Sequence, residues 1–101
     1  MKVFTQTGGA RIGRSFWLSM NASVPFAKLQ VTENEITLNS MGKKYSFGRN
    51  QIEALSIYSG AISSGLQIHH LNAKYPKFIV YWTLDLPSLK THLSEFGYEL
   101  S

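Results

Sequence analysis

Residues 77–97 read KFIVYWTLDLPSLKTHLSEFG, and the hydrophobic period changes in the middle of them. Residues 77–83 form a strand-sized run that is apolar on both faces, as in a β-strand covered on its outer side. From Leu86 the spacing lengthens. Leu86, Leu89, Leu93 and Phe96 recur at steps of three and four, which places them on one stripe of an α-helix over residues 86–97. Asp85 stands where an N-cap carboxylate belongs, Pro87 falls in the tolerant first turn, and Gly97 supplies the stop. A strand leading directly into one amphipathic helix implies a β-layer upstream, with an open side for that stripe to cover.

The upstream pattern agrees. Period-2 alternation predicts strands over residues 12–20, with Ile12, Phe16, Leu18 and Met20 on one side, and over 25–31, 35–39, 43–47, 52–58 and 66–70. Ile52 is out of register with Leu55 and Ile57, which predicts a bulge. Turns are marked by Asn34, by Met41-Gly42, by Gly48 to Asn50, by the Gly60 and Gly65 bracket, and by Asn72 to Pro76. Residues 1–11 read as a flexible lead-in. No segment is free for helices between the strands, which excludes a doubly wound sheet. The expected fold is mainly β: a barrel or sandwich of about seven antiparallel strands, closed by one C-terminal helix, in a single domain over residues 1–101.

Composition narrows the function classes. Hydrophobic residues make up 44% and charged residues 16%, a globular balance. Cysteine is absent, so disulfide frameworks and thiolate sites are excluded, and a reducing cytoplasm fits. The start lacks the apolar run of a signal peptide, and no stretch reaches the length of a membrane-spanning helix. The expected location is cytoplasmic, with membrane contact limited to the peripheral kind at the inner face. Net charge is +4, and Lys2, Arg11, Arg14 and Lys28 all precede the first acid, Glu33. That field suits an anionic partner but falls short of the dense basic stripe of a nucleic-acid binder.

The order of elements resembles the pleckstrin-homology-like (PH-like) fold, in particular the small bacterial PH-like domains. The resembling stretch is residues 24–96: VPFAKLQVTENEITL, then KKYSFGRNQIEALSIYSG, GLQIHH, YPKFIVYW and the final helix. The resemblance implies an interaction module rather than an enzyme. Phosphoinositide-binding members carry a lysine and then paired basic residues across their first two strands. Here WLSMNASVPFAKLQ supplies only Lys28, which argues against stereospecific inositol-phosphate binding.

The chemical motifs are sparse. GGARIGRS, residues 8–15, is one residue from a phosphate loop, with Arg14 in the lysine position. It lacks a buried strand before it and a helix after it, so no nucleotide and no cofactor is expected. His69 and His70 are adjacent on a strand and point to opposite faces, so they do not converge on a metal. The six acids are scattered, and no G-x-S-x-G turn is present. A small hydrolase or metal enzyme is therefore the last of three readings.

The candidate anion- or partner-binding residues are Arg11 and Arg14 in the glycine-rich stretch, with Lys43, Lys44 and Arg49 expected to cluster around one hairpin. The first reading is a non-enzymatic module acting through protein–protein contact, including self-association. Its basis is that Trp17, Ile79 and Tyr81 are expected on the second faces of the first and seventh strands. The second reading is a peripheral binder of an anionic lipid or membrane surface.

Overall fold

The computed structural model describes residues 2–13, 19–59 and 64–101, with residues 19–25 described as backbone only. Among the described residues seven strands are present: β1 (Phe4–Gly13), β2 (Ser19–Val31), β3 (Glu35–Ser40), β4 (Lys43–Gly48), β5 (Ile52–Ser59), β6 (Ser64–His70) and β7 (Phe78–Thr83). A 3-10 turn, Arg49–Gln51, joins β4 to β5, and one helix, α1 (Leu86–Glu95), follows β7. The strands form one antiparallel sheet in the order β4-β3-β2-β1-β7-β6-β5. The sheet curls around a single core built from all seven strands and α1.

The curl turns on β1. Its first part, Phe4 to Gly8, pairs with β2, while Gly9 to Gly13 also pairs with β7. Between Gly8 and Ala10 the register with β2 slips from Ala27 to Ala22. The extra β2 residues include Pro25, which has no N–H to give to a ladder. A Cβ on Gly8 would lie 2.1 Å from the Trp82 carbonyl oxygen and 2.8 Å from the Tyr81 ring, so only glycine lets β1 cross β7 this closely.

Three sequence expectations are corrected here. Residues 4–11 are not a lead-in; they form most of the strand at the centre of the sheet. Their inward positions are Phe4, Gln6, Gly8 and Ala10, and a glutamine and a glycine erase the apolar alternation. Nor do residues 12–20 form one strand. Ile12 pairs Met20 and Gly13 pairs Ser19 in antiparallel register, so the two ends belong to different strands. Thirdly, Ile79 and Tyr81 face the core at 0% exposure, and the outer face of β7 carries Phe78, Val80 and Trp82. The bulge at Ile52 is present as a register shift between Ile52 and Ala54.

Gln6 explains its inward placement. Its Oε1 accepts from the Tyr81 hydroxyl at 3.0 Å and from Thr83 Oγ1 at 2.7 Å, and its Nε2 donates to the Asp85 carbonyl at 3.2 Å. One amide thus ties β1, β7 and the start of α1 together. The Asp85 carboxylate caps α1 by accepting from Ser88 N at 3.2 Å. Leu89, Leu93 and Phe96 are buried, and the Phe4 ring stacks on His92 at 4.0 Å. Gly97 closes the helix at φ +84°.

The outer strands are also closed off locally. The Tyr75 hydroxyl accepts from Ser46 N of β4 at 3.2 Å, and its ring packs edge-on against Tyr45 and Phe47. On β5, Leu100 forms a parallel bridge with Leu55, whose carbonyl accepts from Ser101 N at 2.7 Å. Such contacts protect edges that would otherwise template further pairing.

Candidate functional site

The expected cluster of Lys43, Lys44 and Arg49 does not form. Arg49 lies beyond the far end of β4 from the two lysines. Its Nε donates to the Glu33 carbonyl, its Nη2 to the Phe96 carbonyl and its Nη1 to the Gly97 carbonyl at 3.3 Å. Its guanidinium carbon sits 4.0 Å from the centre of the Tyr98 ring. A planar fork aimed at the carbonyls past a helix C-terminus makes Arg49 a structural clamp. Tyr98 completes the clamp by donating to the Thr32 carbonyl at 2.8 Å. Burial pushes its phenol pKa upward and the Glu35 carboxylate adds to this, against the opposing pull of Arg49.

The remaining candidates separate. Arg11 lies half-buried on β1 and pairs with Val80 of β7. Arg14, like Trp17, lies outside the described residues. Lys43 and Lys44 are exposed at the start of β4, three strands away from β1.

The two adjacent histidines diverge, as their strand placement requires. His70 Nδ1 accepts from Asn72 N at 3.1 Å, so its Nε2 donates to the Pro76 carbonyl at 2.7 Å. That ring holds the turn before β7. His69 lies on the other face, 2.8 Å from Ser56 Oγ. Among the described residues no group of three or more His, Asp or Glu side chains comes together.

Two outward faces carry the remaining surface chemistry. The first is the outer face of β5, β6 and β7. Tyr58 packs edge-on against Phe78 at 5.7 Å and against Trp82 at 5.6 Å. Tyr58 pairs Gly65, and Gly65 pairs Trp82, so the two rings meet across a residue without a side chain. A Cβ there would lie 2.6 Å from the Tyr81 carbonyl and 3.0 Å from the Trp82 ring. All three aromatics are half-buried. Arg11, Gln67, Ser56 and His69 share this outer face, and Val80 lies buried at its middle.

The second face is the outside of β2, β3 and β4. Thr7, Lys28, Asn39 and Lys44 lie in one cross-strand row. Phe26 shares the outward direction of Lys28 and is 64% exposed. The alternation of 26–31 carried the signal for the second face, but residues 78–82 are apolar on both sides, and assigning their in and out needed the pairing of β7 with β1.

No known family model, no curated protein and no solved structure matches the chain. Among the described residues no helix is long and apolar enough to cross a membrane.

Proposed function

We propose that this is a PH-like interaction module that works by contact rather than catalysis, and that it associates with a second copy of itself through the outer face of β5–β7. The supporting observation is the aromatic group Tyr58, Phe78 and Trp82, half-buried on one strand face, with Tyr58 packed against both of the others. Tyrosine and tryptophan give large contact area for little lost side-chain freedom, which is why they anchor protein interfaces. The rows beside them hold Gln67, Ser56 and His69, polar groups suited to an interface rim.

The reading predicts a mass above the monomer at high protein concentration. Trp82→Ala shifts the population to monomer while the far-ultraviolet spectrum stays unchanged. Sedimentation equilibrium reads both, and a strict monomer across the accessible concentration range contradicts the assignment.

A further inference from the structure

We propose that the outer face of β1–β4 around Phe26, Lys28, Asn39 and Lys44 is a docking surface for single-stranded RNA, which stacks one base on Phe26 and lays its backbone across the two lysines. This surface is on the opposite half of the sheet from the contact face above and does not depend on it.

The strand register places these groups. Thr7, Lys28, Asn39 and Lys44 occupy one cross-strand row. The two lysines therefore stand about 10 Å apart, two strand spacings, with an amide between them. Phe26 and Gln30 lie two residues to either side of Lys28, on the same face of β2. Phe26, Lys28, Gln30 and Lys44 are all exposed, Phe26 at 64%. Lys43 pairs the buried Ser40 and belongs to the other face. The next row, Thr5, Gln30, Thr37 and Ser46, is uncharged and hydrogen-bonding. No acid lies in either row.

The chemistry of this face selects its occupant. A lone exposed apolar residue is ordinary. Phe26, however, shares its face with two cations and a set of amides and hydroxyls. An aromatic ring gives an unpaired base a plane to stack on, a source of affinity that tolerates any sequence. The lysines supply point charges for two phosphates. A duplex keeps its bases stacked on one another and leaves Phe26 nothing to hold, whereas a single strand can splay a base outward. Asn39, Gln30 and Thr7 offer oxygens that accept from a ribose 2′-hydroxyl, which favours RNA over DNA. Two phosphate contacts and a stacked base need no dense basic stripe, which marks partners held by charge alone.

Fluorescence anisotropy of a labelled oligoadenylate RNA of about twelve nucleotides, titrated with the full chain, tests the surface. Two phosphate contacts predict that log affinity falls with log salt at a slope of about −1.4. Lys28→Gln and Lys44→Gln are each expected to make that slope shallower by about 0.7. Phe26→Ala is expected to weaken binding roughly tenfold at an unchanged slope, because stacking releases no counterions. Lys90→Gln removes the same charge from the exposed face of α1 and changes neither quantity. The DNA oligomer of the same sequence binds several-fold more weakly. Every substituted side chain is exposed, and an unchanged thermal melt certifies the fold of each variant.

Absence of oligoadenylate binding at low salt overturns the proposal, and binding to anionic phospholipid vesicles in that case assigns the lysines to a membrane instead. Equal losses from Lys90→Gln and Lys44→Gln overturn it as well, because net charge alone is then at work. An affinity that Phe26→Ala leaves unchanged removes the stacked base and overturns the site. Equal affinity for the DNA oligomer overturns the assignment to RNA.

Discussion

Arg49 and Met41 show how differently a residue can stand in the fold from its place in the sequence. In the sequence Arg49 is one of three nearby cations; in the structure it ties the C-terminus of α1 to the β2–β3 turn by donating to the Phe96, Gly97 and Glu33 carbonyls. Arg49→Ala is expected to cost about 2 kcal/mol, through lost charge-assisted hydrogen bonds and the Tyr98 contact, discounted for an exposed side chain. Arg49→Lys recovers less than half of that, since an ammonium cannot reproduce the fork. Urea midpoints at constant slope measure both. Met41 gives the opposite sign. Relieving its left-handed backbone with Met41→Asn is expected to stabilise the fold by about 1 kcal/mol.

At the scale of elements, the glycines in β1 and β6 decide the packing. The Cβ of Gly8→Ala would meet the Trp82 carbonyl, and that of Gly65→Ala the Tyr81 carbonyl. Each is expected to cost about 3 kcal/mol or more, because backbone rather than a mobile side chain must yield. A thermal melt in which either variant matches wild type contradicts the close crossing. The same glycines limited what the sequence could reveal. β3 through β7 and α1 were legible within a residue or two, because each has a core face of ordinary apolar residues such as Ile36, Leu38, Leu66 and Ile68. β1 was not, since Gln6 and Gly8 face inward in place of hydrophobes. Assigning the sides of β7 failed for a related reason: Phe78, Ile79, Val80, Tyr81 and Trp82 are apolar on both faces, and period alone cannot say which is inside. Of the candidate site, Lys43 and Lys44 were legible as exposed cations next to a turn. Phe26 was not singled out, because its exposure depends on the β2–β3 register.

For the whole molecule, one core is shared by the two halves of a curled sheet, so the outer face of β5–β7 and the outer face of β2–β4 look away from each other. The shared core also sets an alkaline limit. Burial raises the phenol pKa of Tyr81 and of Tyr98 above the ordinary 10.0. The unfolded chain therefore releases these protons first, and folding stability is full below about pH 10 and falls as pH rises beyond it. Tyr98→Phe is expected to flatten that decline, as measured by denaturant midpoints across the alkaline range.

The central claim, contact through the outer face of β5–β7, is tested most directly by following resolved nuclear magnetic resonance signals through a dilution series without lipid. The account predicts that signals of Tyr58, Gln67 and Trp82 move with concentration while those of Lys28 and Lys44 stay fixed. Signals that are invariant everywhere, or that move only on the β2–β4 face, would contradict it.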